Sequence, residues 1–254
     1  MEKYNTIPWT QIRNDTQDFL DLAKGRNFVQ GISEVDITAL YSKFKDRKKK
    51  GIKNNSLTVY ILWCYGQAIK KRPELQGIRQ KNELVIFEDV DIAMMFEKTM
   101  PNGKKQPFPY IFRGVQNKSF DQLSEEMLKI KNLDLTTIRK QKKSLIIRWF
   151  PKKLRMFVLR KRLENAKQSK EVLGTVALTS LSMIMGNRIF YPLPLGPYPC
   201  TLAMGGVYNK PSVNGERKVL CLSICIDHDI SDGAPVARFG NDLIALIENS
   251  SGLI

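Results

Sequence analysis

One run near the C-terminus constrains the fold more than any other part of the sequence. Residues 219–226 are apolar apart from one serine, which is typical of a buried strand. A short polar turn follows, and residues 235–247 then place apolar side chains at helical spacing, at Val236, Phe239, Leu243 and Ile247. A buried strand that leads directly into an amphipathic helix indicates a domain in which both kinds of element pack together.

The rest of the chain carries the same mixture of patterns. Alternating or apolar runs predict strands at residues 31–37, 91–96, 109–115, 175–180 and 200–207, with a hairpin at 76–87. Helical spacing predicts helices near residues 9–22, 38–50, 57–69 and 119–133. Because these elements follow no strict strand–helix–strand rhythm, we expect an α/β or α+β domain with a mixed sheet. The length of 254 residues fits one generous domain or two small ones.

The composition is that of an ordinary globular protein, with 43% hydrophobic and 26% charged residues. Neither a signal sequence nor an uncharged apolar run of about 18 residues occurs, which predicts a cytoplasmic location. The four cysteines form no CxxC pair and are expected to be reduced core thiols. Since His228 is the only histidine, no metal site is expected.

The positive charge is concentrated in one segment. The chain carries a net charge of +16, and residues 139–170 hold thirteen Lys or Arg against one acid, Glu164. This basic segment therefore supplies +12 of the total. We expect any partner that the charge attracts to bind there and not over the whole surface.

The residues best suited to catalysis lie directly after the strand at 219–226. His228 follows that strand, and Asp232 and Gly233 come four and five residues later. Asp232 is placed to brace this loop, most simply through an ion pair with an arginine. A histidine held at a strand end suits a general base, because its unperturbed pKa of about 6.5 lies near working pH. The residues alone leave a second interpretation open, in which His228 is an ordinary loop histidine and Asp232 caps the following helix.

Several motifs resemble one family. The pattern His228-x-x-x-Asp232-Gly233 with the helix after it resembles the signature of chloramphenicol acetyltransferase and of the acyltransferase core of 2-oxo acid dehydrogenase complexes. Four further segments resemble that family in the right order, at residues 35–40, 72–75, 84–92 and 174–181. The resemblance implies one acyltransferase catalytic domain over residues 1–254, with a two-layer fold of mixed sheet and flanking helices.

The resemblance also implies a reaction. An acyl group would pass from acyl-CoA, or another thioester carrier, to a hydroxyl, amine or thiol acceptor, with His228 as general base, Asp232 beside it and no acyl-enzyme. Coenzyme A thioester would be a co-substrate, and no metal would take part. The family places a serine hydroxyl at the oxyanion; here Thr179 matches that position best, with Ser180 beside it. Taken alone, Thr179 is equally well explained as a β-branched strand residue.

Some features depart from the family pattern. Ser182 stands where the family has glycine, and the match of Arg13 to the arginine that pairs with the motif aspartate is loose, so a surface arginine is the alternative. The 254 residues contain no lipoyl domain, so we expect the acyl donor to come from outside. The resemblance further implies a homotrimer with each active site between subunits.

Two other functions stay open at this level. One is an antibiotic O-acetyltransferase of the chloramphenicol type, against which the basic segment and the extra length count. The other is a non-catalytic trimeric scaffold, against which the intact pair His228 and Asp232 counts.

The basic segment allows several interpretations of its own. Around Leu154, Phe157 and Val158 it is predicted to form a short helix with an apolar stripe and a basic rim. Such a helix can bind a membrane surface, which would place the protein at the inner face of the membrane with a lipid-linked acceptor. It can also bind an acyl carrier protein or the phosphates of coenzyme A, or cover the core with its charges in water. Nucleic acid is not expected as a partner, because no reading motif accompanies the charge.

Overall fold

The computed structural model describes residues 3–99, 103, 105–132, 150–213 and 215–253. Within them the strands are β1 (Phe28–Asp36), β2 (Ile78–Gln80), β3 (Glu83–Val85), β4 (Ile92–Thr99), β5 (Lys105–Phe112), β6 (Val176–Ser180), β7 (Cys200–Ser212) and β8 (Gly215–Asp227). The helices are α1 (Gln11–Asp21), α2 (Thr38–Lys49), α3 (Leu57–Lys71), α4 (Phe120–Asn132), α5 (Lys152–Glu164), α6 (Ala166–Leu173), α7 (Ser182–Met185) and α8 (Gly233–Glu248). Short 3-10 helices occupy Pro73–Gln76 and Val115–Asn117.

Six of the described strands form one mixed sheet in the order β1-β8-β7-β6-β4-β5. β6 is parallel to both of its neighbours, β4 and β7, and the other pairs are antiparallel. β2 and β3 pair separately as a hairpin, with Lys81 in the left-handed region at its turn. The predicted α/β class with a mixed sheet and flanking helices is confirmed.

The main core lies between one face of the sheet and the helices. α3 is the most buried helix, since its residues are apolar on nearly every side, and it ends before Pro73, as the sequence predicts. Its polar atoms bind neighbours: the Tyr60 hydroxyl donates to the carbonyls of Leu246 and Ser251, each at 3.0 Å. Burial raises the pKa of Tyr60 above its usual range.

The two faces of the sheet are covered differently. Along β8, Leu220, Leu222 and Ile226 contribute to the helix-covered core, whereas Cys221 faces a smaller cluster on the opposite side with Tyr191. Tyr191 belongs to the irregular segment 186–199, which lies against that opposite face. The sheet therefore has a helix face and a loop face.

Two adjacent glycines let the 186–199 segment approach β7. β7 shifts register between Met204 and Val207, and a Cβ on Gly205 would lie 1.7 Å from the carbonyl oxygen of Phe190. A Cβ on Gly206 would lie equally close to the carbonyl oxygen of Arg188, at 1.7 Å. The main chains can meet only because both positions lack a side chain.

The cysteines are core residues. All four cysteines are buried and free, and burial raises the pKa of Cys64 and Cys200 to about 12.

In the basic segment the structure has two helices, α5 and α6, because Asn165 ends one and caps the next by accepting from the Gln168 amide. Residues 139–149 of that predicted segment lie outside the described residues. No described helix is long and apolar enough to cross a membrane.

Candidate active site

The main chain at His228 is fixed by the start of β1. β8 pairs with β1 up to Asp227, opposite Phe28, and the His228 amide then donates to the Asn27 carbonyl at 2.6 Å. The sheet register therefore extends one residue past the strand. The imidazole is 45% exposed, so solvent reaches the ring.

A polar network holds the turn around His228. Asp227 is buried, and its carboxylate accepts from Arg26 at 2.9 Å and from the Asp229 amide at 3.2 Å. The Asn27 side chain donates to the Asp229 carboxylate at 3.1 Å. The turn is thus tied to the α1–β1 connection by charge-assisted hydrogen bonds, which are stronger than neutral ones.

Asp232 lies beside the imidazole but does not brace the turn through an arginine. Its Oδ1 is 3.8 Å from Nδ1 of His228, beyond hydrogen-bond distance, and its side chain is 88% exposed. Among the described residues of this chain, no arginine, Arg13 included, pairs with Asp232. The ion pair that braces the turn joins Arg26 to Asp227 instead.

The turn also contains an unsatisfied hydroxyl. The Oγ of Ser231 is buried and has no hydrogen-bond partner among the described residues. A buried hydroxyl without a partner costs about 1–3 kcal/mol.

Thr179 and Ser180 end β6 on opposite faces of the sheet. Leu178 belongs to the helix-covered core, and side chains alternate along a strand, so Ser180 shares that face and Thr179 faces the loop side. The Ser180 hydroxyl is 3.0 Å from that of Ser182 and 3.5 Å from that of Thr58 on α3. Ser180 is thus engaged by other hydroxyls, whereas Thr179 has no side-chain hydrogen bond to a described residue.

One chain does not bring these hydroxyls to the imidazole. Thr179 pairs with Ala203, which pairs with Ser223, and His228 lies five residues beyond Ser223 along β8. At about 3.3 Å per residue, the two groups are about 16 Å apart along the strands, with two strand spacings in addition. The four predicted site residues therefore form two separate groups in the monomer.

The surface next to the hydroxyls is apolar. Met183 and Ile184 on α7 are 89% and 75% exposed, and further exposed apolar side chains follow in the 186–199 segment. Those side chains are Ile189, Phe190, Leu193 and Leu195. Exposed apolar groups collected in one stretch of surface are typical of protein–protein contacts.

Sequence reasoning did not find Arg26, Asn27 or Asp227. Asp227 carries a signal in hindsight, because a carboxylate at the end of a buried strand needs a partner. That partner, Arg26, lies 201 residues away in the sequence, so only the folded sheet brings them together.

Comparison with known proteins identifies the family that the chain resembles. Residues 140–254 match the family described as 2-oxoacid dehydrogenases acyltransferase (catalytic domain). The matched range contains β6, β7, β8 and the turn with His228 and Asp232. Comparison with curated protein sequences gives no match.

Three solved structures share the fold over nearly the whole chain. A probable dihydrolipoamide acetyltransferase from Listeria monocytogenes is 16% identical, covers 97% of this chain and 95% of its own, and gives a TM-score of 0.71. The dihydrolipoamide acetyltransferase of Azotobacter vinelandii is 19% identical over 99% and 94%, with a TM-score of 0.70. That structure belongs to a study of a serine, a histidine and an asparagine in the enzyme's catalytic mechanism.

The third is a chloramphenicol acetyltransferase, 16% identical over 94% of this chain and 96% of its own, with a TM-score of 0.52. At these identities the structural likeness shows the fold. Together with the family match, it confirms the resemblance predicted from the motifs: the chain resembles the acyltransferase catalytic domain of the 2-oxoacid dehydrogenase and chloramphenicol acetyltransferase type.

Proposed function

We propose that this protein is an acyltransferase that moves an acyl group from a thioester to a hydroxyl, amine or thiol acceptor, in an active site built between the subunits of a homotrimer. One observation carries the proposal. The turn with His228 and Asp232 is held in place by its own chain, whereas the hydroxyls of Thr179 and Ser180 lie too far away to join it.

The exposed apolar stretch beside those hydroxyls supports a second copy as the missing part. A neighbouring subunit that covers Met183 and Ile184 can bring its own His228 turn to the end of β6, in keeping with the site between subunits that the family resemblance implies. Covering these side chains would also remove apolar surface from water, which favours association.

The proposed reaction is a direct transfer. The imidazole of His228 takes the proton of the acceptor while the acceptor attacks the thioester carbonyl. The tetrahedral oxyanion needs a hydroxyl donor about 3 Å away, and collapse of this intermediate breaks the carbon–sulfur bond. The leaving thiolate then recovers the proton from the imidazolium, so the products are the acylated acceptor and the free thiol.

The contacts of the two hydroxyls favour Thr179 over Ser180 as the oxyanion donor. The Ser180 hydroxyl already lies within 3.5 Å of two other hydroxyls on the helix face. The Thr179 hydroxyl has no such partner, and it lies on the face that carries Ser223 and Asp227. A donor that is not yet engaged can turn to an incoming oxyanion without losing another bond.

The Azotobacter relative supports the paired roles of His228 and Asp232. The histidine and asparagine studied in that enzyme are four positions apart, as are His228 and Asp232 here. At the second position of this spacing the chain has a carboxylate, whereas the relative has an amide. A carboxylate near the ring stabilises the imidazolium that forms during the reaction.

The thioester that donates the acyl group is also proposed. The similar acetyltransferases act on dihydrolipoamide by name, and chloramphenicol acetyltransferase shares the fold, so thioesters of coenzyme A and of lipoamide are both donors to be tested. We propose acyl-CoA as the donor and a small-molecule or lipid-linked compound as the acceptor.

A thiol-release assay tests the reaction. The protein is incubated with acyl-CoA donors of several chain lengths and a panel of amine, alcohol and thiol acceptors, and free thiol is measured. The His228→Ala variant should lose at least about 100-fold in kcat, since general base catalysis typically contributes that much. Equal rates for wild type and variant would remove His228 from the mechanism.

Mixed oligomers test where the site lies. The variants His228→Ala and Thr179→Val are inactive or nearly so when pure, but co-expressed chains would form some interfaces with an intact residue from each side. Random mixing in a trimer should restore about one quarter of the wild-type sites. No recovery in mixed trimers would place both residues in one chain's own site and overturn the shared site.

A further inference from the structure

The helix α5 is bound to the rest of the protein through its charged residues. Arg155 pairs with the buried carboxylate of Asp18, with Nη2 of the arginine 3.0 Å from Oδ1. Lys152 pairs with Asp21 at 2.8 Å. Hydrogen bonds from Lys152 and Lys24 lower the pKa of Asp21 to about 2. α5 is thus anchored on α1 by ion pairs.

The outward side of α5 is partly apolar. Leu154 and Phe157 are one turn apart and are 46% and 60% exposed, and only Met156 of this helix is buried. A surface helix normally turns its apolar residues to the core and its charges to water. In α5 part of this arrangement is reversed, which indicates that the outward side binds something apolar.

The surroundings of the exposed pair are cationic. Lys153 and Lys161 flank Leu154 and Phe157 on the outward side, since they lie at helical spacing from them. Residues 150–170 carry eight Lys or Arg and one acid, Glu164, which pairs with Lys161 at 3.0 Å. An occupant of this face therefore has to be apolar in its middle and anionic around it.

The need for a partner that is both apolar and anionic distinguishes a second copy of the chain from a membrane. In a two-fold contact a second copy would set two cationic helices against each other, and like charges repel. In a head-to-tail contact, as in a trimer, its exposed apolar stretch at residues 182–199 would offer no acid and one arginine. A bilayer with anionic lipids fits, because protruding side chains on a convex helix enter the acyl region while lysines reach the headgroups. We propose that α5 is a docking surface for anionic membranes, with Leu154 and Phe157 inserted and Lys153 and Lys161 on the phosphates.

The docking surface is connected to the candidate active site. α1, on which α5 is anchored, ends at Asp21, and six residues later Asn27 holds the main chain of His228. A membrane bound to α5 would therefore be linked to the turn that carries the base through α1 and the six residues that follow it. The binding itself does not depend on acyl transfer, and a His228→Ala variant should bind vesicles as wild type does.

Flotation of the full-length protein tests the proposal. The vesicles contain phosphatidylcholine alone, or equal parts of phosphatidylcholine and phosphatidylglycerol. Wild type should float only with the anionic vesicles, and added salt should weaken this binding. The double variant Lys153→Gln/Lys161→Gln should bind about 30-fold more weakly, which is what two lost lysine–headgroup contacts predict. Leu154→Ser/Phe157→Ser should also lose binding.

Matched variants elsewhere serve as controls. Lys48→Gln/Lys50→Gln removes two exposed lysines that form no ion pair with a described residue, and Leu128→Ser/Val213→Ser removes two exposed apolar side chains. Both controls should float like wild type. Equal loss in the controls and the α5 variants would overturn the proposal, and so would the absence of flotation by wild type.

Two further outcomes would also overturn it. Binding of an acidic acyl carrier protein to wild type, without binding to vesicles, would assign the face to a protein. A change of oligomeric state on Leu154→Ser/Phe157→Ser, seen by sedimentation, would assign it to a second copy. Thermal melts of each variant check that the Arg155–Asp18 anchor still holds the fold.

Discussion

At the end of β8, polar contacts from distant parts of the same chain hold the residues around His228, whereas at the end of β6 the hydroxyls of Thr179 and Ser180 lie beside apolar side chains in water. The first end is fixed by Arg26, Asn27 and Asp227. The second end has its exposed neighbours on α7 and in the 186–199 segment. One end is therefore held by contacts within the chain, and the other exposes apolar side chains to water.

The difference indicates how the proposed shared site would be built from two copies of the chain. Ion pairs and hydrogen bonds formed within the chain hold the main chain at His228. In the proposed trimer the apolar end would supply free energy of association, because its exposed side chains would leave water when a partner covers them. The proposal therefore gives the end of β8 the role of positioning the base and the end of β6 the role of binding the neighbouring subunit.

The largest effect is expected from charges placed at the apolar end. Met183→Glu/Ile184→Glu should yield monomers by sedimentation, because two carboxylates would be buried in the contact. Acyl transfer should fall to the level of the His228→Ala variant, although circular dichroism should stay unchanged since both side chains are exposed in the monomer. Leu128→Glu/Val213→Glu, at exposed positions elsewhere, is the control. Trimers that survive the α7 substitutions would show that this surface is not the contact.

A smaller effect separates the two hydroxyls. Thr179→Val should lower kcat about 100-fold by removing an oxyanion donor, and Thr179→Ser should restore most of it. Ser180→Ala should cost less than about tenfold, because its hydroxyl is engaged with Ser182 and Thr58. Steady-state thiol release with a saturating acceptor measures both. The reverse order of effects would assign the oxyanion to Ser180.

Local sequence patterns predicted much of the fold. The strand at 219–226, the helix that follows and the break at Pro73 all depend on neighbours within a few residues, and the structure has them. The structure extends β7 to Ser212 and begins β8 at Gly215, because the two strands continue as a long hairpin. Such pairing joins residues whose own pattern is polar, so it leaves little trace in the sequence.

The site was less predictable for a physical reason. The pattern identified His228, Asp232, Thr179 and Ser180 as candidates, but it could not show that the first two lie at one end of the sheet and the others farther along it. Alternation along β6 separates Thr179 from Ser180, yet only packing decides which face the helices cover. These features depend on contacts between remote segments, which periodicity does not encode.

The smallest effect is expected at the polar end. Asp227→Asn keeps the shape of the side chain but removes the charge that pairs with Arg26, and it should lower the free energy of unfolding by about 1–3 kcal/mol in urea titrations. Arg217→Met, which breaks an exposed pair with Asp36 at 3.7 Å, should change it by less than about 0.5 kcal/mol.

Activity then decides what the Arg26–Asp227 pair is for. If the pair positions the turn, Asp227→Asn should reduce kcat about tenfold or more with little change in KM, since a base displaced by a fraction of an ångström still lets substrate bind. Arg217→Met should leave kcat unchanged. A variant that is less stable but equally active would mean that the Asn27 contact to His228 suffices, and that the buried carboxylate serves the fold alone.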